Sequence, residues 1–345
     1  MNSYDVTIRG AGIFGLSIAW VCVQRGARVQ VVDPFGPGSG ASGGVVGALA
    51  PHVPEQWVPK KQFQFESLIL AEPFWAEVED ITGQSSGYTR AGRVQLIADD
   101  AGLALAHDRH DKAKELWQGK AVWDVTKSSG GWDVQSKSGW FVRDSLSAHL
   151  HPRRACAALV EVLQRHGVDV IARPEGTTNA TVWATGAAGL DELSQGRSRI
   201  MGQGIKGQAA LLDANRAGMP QLYVEELHVI PHLDGTVAVG STTERFYDDP
   251  SSTDQLLEDI IEKTRRVVPE LANAEVLERW AGLRPRSRTR APMLGGYPDR
   301  PGHFVANGGF KIGFGMAPKL AHVMADLVLD GHNTIADDFD VIASM

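Results

Sequence analysis

Two glycine-rich loops fall within the first forty-seven residues, with an acidic residue between them: Gly10-Ala11-Gly12-Ile13-Phe14-Gly15, then Asp33, then Gly40-Ala41-Ser42-Gly43-Gly44-Val45-Val46-Gly47. Val6 and Ile8 alternate as a short strand, the glycines turn the chain, and residues 16–25 read as a helix stopped at Gly26. A strand, a tight turn and a helix in that order favour a nucleotide-binding α/β unit. Gly10 makes the turn, Gly12 admits a pyrophosphate to the helix N-terminus, and Gly15 lets helix and strand pack closely. Residues 29–32 form the second strand, which ends at Asp33, placed to accept hydrogen bonds from an adenosine ribose. An acid there, not an arginine, argues against a phosphorylated ribose. The pattern points to a dinucleotide on a parallel sheet and does not by itself separate FAD from NAD.

Composition narrows the partners. A net charge of −7 and a pI near 5.9 give no basic footprint for nucleic acid or an anionic membrane surface. The 345 residues, 43% of them hydrophobic, suffice for a large core and two domains. Cys22 and Cys156 supply no zinc-ligand set, so no metal is expected and neither disulfides nor metal are needed. No charged leader precedes the first strand, and the apolar runs are broken well short of spanning length. These features predict a cytoplasmic protein without an integral membrane segment.

Along the chain, residues 48–59 read as an extended crossing and 62–81 as a helix. Residues 93–97 and 130–142 alternate as antiparallel strands, flanking a polar surface helix over 103–116. The α/β texture returns with a helix over 152–166, a strand over 168–171, and the apolar strand Thr181-Val182-Trp183-Ala184 ending in Thr185-Gly186. Strands are predicted at 208–212, 222–230 and 236–242. A helix at 254–268 should be capped by Ser251, Ser252 or Thr253, and a last helix should run from about 318 to 329. Arg284, Arg286, Arg288 and Arg290 would share one face if that segment were extended, and four like charges call for anions: a doubly acidic substrate, carboxylate partners or solvent.

The ordered set GAGIFG, Asp33, GASGGVVGAL, WATG, GSTTE, WAGLRP and NGGFKIGFGMAP resembles the D-amino-acid oxidase and glycine oxidase family of FAD-dependent oxidoreductases over almost the whole chain. The resemblance implies an α/β (α+β overall) architecture: a Rossmann-like FAD domain from 1–83, 146–219 and 292–345, interleaved with a mixed or antiparallel-sheet substrate domain from 84–145 and 220–291. It implies noncovalent FAD. Gly10, Gly12, Ile13, Phe14, Gly15 and Asp33 would hold the ADP half, while Ala41, Ser42, Gly43 and Gly47 would lie along the pyrophosphate and flavin. Ala184, Thr185 and Gly186 would close over the nucleotide, with Gly282, Gly309, Lys311, Ile312 and Gly313 also at the cofactor. Arg284 would clamp the substrate carboxylate, a task its planar fork suits. Alternatively, it is a solvated arginine on a polar strand.

Lys311 would be a second cation near substrate or flavin, or would face solvent. His228 stands where the family usually shows an aromatic residue, and a pocket imidazole there accepts a hydrogen bond or, when charged, pairs with a second carboxylate. The implied reaction is oxidation of the C–N bond of a small amino acid or amine bearing a carboxylate, by hydride transfer to flavin N5. Oxygen or a quinone would reoxidise the flavin. The same scaffold would also suit a 2-hydroxy acid, a secondary amine such as sarcosine or proline, or a non-catalytic FAD-binding subunit.

Overall fold

The computed structural model describes residues 3–345. β1 (Ser3–Arg9) runs through the glycine turn into α1 (Ile13–Gln24) and β2 (Val29–Val32). After the two-residue β3 (Ala48–Leu49), α2 (Pro59–Thr82) opens with proline, whose missing N–H costs nothing in a first turn. It stops at Gly83, which takes the left-handed conformation at φ 69°. β4 (Arg93–Leu96) leads to α3 (Asp100–Leu116), capped by the Asp99 side chain, then β5 (Trp123–Thr126), β6 (Phe141–Asp144) and β7 (Ala148–His149). α4 (Pro152–Arg165), β8 (Val170–Ile171), β9 (Thr177–Trp183) and α5 (Gly186–Ser194) follow. The rest is β10 (Gly202–Asp213), β11 (Gln221–Val224), β12 (Leu227–Pro231), β13 (Thr236–Gly240), α6 (Gln255–Val267), β14 (Glu275–Ser287), β15 (Met293–Gly296), β16 (His303–Asn307) and α7 (Gly313–Asp330).

The strands make a six-stranded sheet ordered β15-β16-β9-β1-β2-β8, an eight-stranded sheet ordered β14-β10-β13-β12-β11-β4-β6-β5, and the small β3-β7 pair. The six-stranded sheet is parallel apart from its β15–β16 edge, with Val6 opposite Val29 and Val182 opposite Ile8. Strands covered on both faces are mostly apolar, and all four residues of β2 are buried, with Gln30 satisfied by donating to Thr7 Oγ1 at 2.9 Å. α1 is buried from Ile13 to Cys22, which is why it lacks a polar face, and it packs against α4 and α7. The eight-stranded sheet is antiparallel except where β4 meets β11, and it closes its own core around Val94, Leu222, Val229 and Val237 beneath Leu257 and Ile261 of α6. The mixed α/β architecture expected from the sequence is therefore present.

Local expectations fail for identifiable reasons. Residues 130–142 do not form one strand: Gly130 and Gly131 take φ of 67° and 99°, and only Phe141 onward pairs. Trp132 and Val134 are buried from a loop, the indole N–H donating to Pro220 O at 2.9 Å. The 222–230 stretch is two strands, divided at Glu225 and Glu226, both at positive φ. Asp254, and not Ser251, Ser252 or Thr253, caps α6 by accepting from Leu256 N at 3.0 Å. α7 starts at Gly313, with Pro318 inside it, and α5 begins at Gly186, in a segment with no expected helix. The arginine run is extended only as far as Ser287, so Arg284 and Arg286 share a face while the other two leave it. Arg288 Nε donates to Ser344 O at 3.0 Å, and Arg290 sits in a turn at φ 62°.

Candidate active site

A cavity of about 1030 Å³ takes its walls from both large sheets, near the upper limit of the roughly 300–1,000 Å³ usual for ligand sites. Its nucleotide-like end is built by close backbone approach. Gly10 holds φ 102°, and a Cβ there would lie 2.4 Å from Ala184 O, so the ends of β1 and β9 meet only because the residue is glycine. The Ala11 N–H donates to Asp33 Oδ2 at 2.8 Å and the Phe35 N–H to Oδ1 at 3.0 Å. Each carboxylate oxygen keeps a lone pair for a further donor. Asp33, Pro34 and Phe35 line this end with Arg9 and Trp183; the Arg9 guanidinium lies 4.8 Å from the Trp183 ring, and its buried Nε has no partner.

Three helix N-termini, those of α1 at Gly12, α5 at Thr185 and α7 at Ile312, open onto the same cavity, and none of these three N-cap residues caps its helix with its own side chain. Helix N-termini present N–H groups and the positive end of the helix dipole to an anion. The Ile13 N–H donates to Ser42 Oγ at 3.0 Å, joining the second glycine loop to the first. Thr185 Oγ1 is buried without a partner. Asn307 ties the far side, its Nδ2 donating to Gly186 O at 2.9 Å.

Of the residues the sequence assigned to a cofactor, Gly10, Gly12, Ile13, Phe14, Asp33, Ala41, Ser42, Ala184, Thr185, Gly186, Gly282, Gly309, Lys311, Ile312 and Gly313 line the cavity. Gly15, Gly43 and Gly47 do not. A Cβ at each would fall 1.9 Å from Gly10 O, 2.3 Å from Gly38 O and 1.9 Å from Leu150 O, so these three shape the cradle by backbone packing instead of touching its contents. The helix N-termini, the carboxylate with spare acceptors and the partnerless Arg9 Nε and Thr185 Oγ1 together suit a dinucleotide with a pyrophosphate.

At the other end Arg284, Lys311 and His228 converge. Arg284 is not a solvated surface residue: it is 8% exposed, and Nη2 donates to Thr242 O at 3.0 Å while buried Nη1 has no partner. Burial pushes its pKa down to about 10, against the pull of Glu244, so it stays charged near neutrality. Its guanidinium lies over Gly207 of β10, where a Cβ would stand 1.4 Å from Nη2. Lys311 is solvent-accessible yet forms part of the wall, with its pKa lowered first by partial desolvation and then by Arg284. His228 sits opposite Tyr223 in the β11–β12 hairpin, the rings 4.9 Å apart. Burial, then Arg93, Lys311 and Arg284, lower its pKa to about 4, and its buried Nδ1 is unpartnered. The imidazole is therefore neutral at pH 7 and is a hydrogen-bonding group, not a second cation.

Sequence reasoning missed Gly207, Arg9, Trp183, Asn307 and Trp280. Trp280 lines the cavity and occupies the space a Cβ on Gly282 would need, 2.5 Å away. The signal available for it was the WAGLRP motif itself, in which only Arg284 and the glycine were read for function. Gly207 gave no signal, because its role appears only when β10 and β14 are paired.

The chain resembles known proteins over nearly its full length. It is 27% identical to the bifunctional protein ThiO/ThiG of Synechocystis sp. across 94% of this chain, and it spans about half (52%) of that longer relative. With glycine oxidase of Bacillus licheniformis it shares 22% identity across 94% of this chain and 93% of the relative. The crystal structure of glycine oxidase from Geobacillus kaustophilus superposes with a TM-score of 0.83 at 20% identity, covering 99% of each chain. That of iminodiacetate oxidase from Chelativorans sp. BNC1 also gives 0.83, at 21% identity, covering 97% of this chain and 98% of the other. These superpositions establish the shared fold. The family model DAO, FAD dependent oxidoreductase, matches residues 5–327, and the chain accordingly belongs to the DAO family of FAD-dependent oxidoreductases.

Proposed function

We propose that this FAD-dependent oxidoreductase oxidises the C–N bond of a small amine that carries a carboxylate. The observation that supports this most directly is Arg284: a buried guanidinium with one partnerless nitrogen, in the same cavity as the glycine cradle. A buried charge without a counter-ion is costly and is relieved when a carboxylate arrives, with bidentate geometry adding specificity. FAD, when bound, supplies the two-electron acceptor for the substrate. Asp33, Arg9 and Trp183 would hold its adenosine end, the helix N-termini its pyrophosphate, and Ser42, Gly282, Gly309 and Ile312 would flank its ring system. In this reading 1–83, 146–219 and 292–345 form the cofactor-binding unit and 84–145 and 220–291 the substrate-binding unit.

The protein's own contribution is orientation. Arg284 fixes the carboxylate, and a fixed pose supplies several kcal/mol of barrier reduction, with full effective-molarity effects reaching about 7–11 kcal/mol. Neutral His228 is available to accept a hydrogen bond from a substrate amine, so the unprotonated amine can bind without a dedicated base. The electron acceptor is oxygen or a quinone, and the location is the cytoplasm, which two buried free cysteines accord with. Relatives named glycine oxidase act, by that name, on a small amine that carries a carboxylate, which supports the reading. Anaerobic addition of glycine, sarcosine, proline and D-amino acids should bleach the bound flavin of the purified protein. In Arg284→Ala the Michaelis constant should rise at least about tenfold, with FAD retained. An unchanged constant removes Arg284 from the substrate site.

A further inference from the structure

Arg284 is not alone. Lys311 is its electrostatic neighbour, and Arg286, two residues on along β14, forms a second group with Arg245 and Arg290. Among the described residues none of these last four makes an ion pair or a side-chain hydrogen bond to an acid, although the chain carries 41 acidic against 34 basic residues. Elsewhere this protein does find partners for its arginines: Arg109 with Glu55, Arg153 with Glu278, Arg279 with Glu258. The deficit of acids is therefore local. Two acids act on the cluster without neutralising it. Glu244 is already engaged by Gln208, Thr242 and Lys206, and Glu226, exposed in the hairpin turn, makes no ion pair with Lys311.

The geometry gives the surplus charge a focus. Arg284 and Arg286 point to one face of β14, two residues apart and so about 7 Å apart along the strand. Phe310, part of the cavity wall, carries the Arg286 guanidinium 5.9 Å from its ring centre and the Lys311 ammonium 5.8 Å from it. A flat apolar ring bounded by two cations, one residue pair beyond a carboxylate clamp, is a place for a second anionic group. Partial desolvation, then Arg245 and Arg290, lower the pKa of Arg286, so an anion arriving there relieves like-charge repulsion.

We propose that a second substrate carboxylate seats between Lys311 and Arg286 across Phe310, so that the enzyme selects amines bearing two carboxylates. This rests on the reading of Arg284 as the clamp for the first carboxylate. The second carboxylate is carried either on an acidic side chain or on a carboxymethyl group attached to nitrogen. Lys311 meets it at the cavity wall, and Arg286 with Arg245 draws it in from solvent.

The test uses the FAD-saturated enzyme and compares kcat/KM for aspartate and glutamate enantiomers, N-(carboxymethyl)glycine, their monoamides, and glycine. One of the dicarboxylates should exceed its matched monoamide by about tenfold or more, the size of a charge-assisted pair, and the ratio should shrink as salt rises. The enantiomers and the N-carboxymethyl compound separate the two carriers. Arg286→Gln and Lys311→Met should each bring the ratio toward one, Arg286→Lys should restore much of it, and Arg216→Gln, in the β10–β11 connection and outside the cavity wall, should leave it as it is. Monoamides performing as well as every dicarboxylate, or an unaltered ratio in Arg286→Gln, overturns the inference while leaving the Arg284 clamp standing. Failure of every amine in the panel to bleach the flavin defeats the clamp reading itself, and this inference with it.

Discussion

A hydrogen atom in place of a side chain at position 207 decides where Arg284 lies. The guanidinium occupies the volume of the missing Cβ, so Gly207→Ala forces either Arg284 out of its slot or β10 away from β14. The expected result is a loss of kcat/KM of at least about tenfold, caused by a raised KM, with FAD still bound. Steady-state kinetics alongside the flavin spectrum checks it, and wild-type KM in the variant would contradict it. His228 permits a second prediction at this scale. With its pKa near 4, it stays neutral from pH 5 to 9, so a kcat/KM profile should show no limb near 6.5 that disappears in His228→Gln. The contrast between glycines shows what a sequence discloses. Gly10 and Gly15 belong to a local motif whose spacing declares its use, whereas Gly207 is defined by a residue on another strand. Asp33 and Ser42 were legible for the same reason as Gly10: their partners, Ala11 and Ile13, lie in the motif.

Among the elements, those decided by short-range chemistry matched their reading: α4 opens on proline, α2 closes on glycine although it starts at Pro59, three residues before the expected position, and β1 and β2 carry their apolar pattern into a buried parallel pair. Those decided by tertiary context did not. Residues 130–142 alternate like a strand, yet Trp132 is drawn into the core by Pro220 while the glycines before it leave the extended region. β14 shows no clean alternation because it is a long edge strand whose residues are mostly half-buried, so its arginines could not be assigned to a face before its partner was known. The β4–β6 ladder carries its own testable device. Arg93 Nε donates to Asp144 Oδ2 at 3.0 Å with both side chains buried, and the second carboxylate oxygen accepts from Ser147 N at 2.8 Å. Removing one member of such a pair strands the other charge, so Asp144→Ala should cost about 3–5 kcal/mol, measured by denaturant unfolding of the FAD-saturated protein. A cost under about 1 kcal/mol would mean that Arg93 finds water or another acid.

For the whole molecule, a group of buried histidines links acid stability to the joint between the sheets. His149 lies in β7, whose partner β3 lines the cavity through Ala48 and Leu49, and His232 directly follows β12 of the eight-stranded sheet. The His151 and His232 rings are 4.5 Å apart, buried His232 Nε2 lacks a hydrogen-bond partner, and the buried His149 imidazole faces the backbone of Pro231. Burial lowers the pKa of His149 to about 4 and that of His232 to about 3, the latter also through His151. Because these values lie below 6.5, the unfolded chain binds protons first as the pH falls. Unfolding therefore becomes easier from about pH 6.5 down to pH 4, by on the order of 3 kcal/mol for each group. Carboxylates held low by arginines, such as Glu55 and Glu278, withdraw their contribution only at lower pH, so the two effects separate on the pH axis. The melting temperature of the wild type should accordingly decline between pH 6.5 and pH 4. In His149→Leu that decline should be shallower, since an apolar side chain in a dry site has no proton to gain. An equally steep acid limb in that variant would show that the imidazole reaches water in the folded protein and plays no part in coupling the joint to pH.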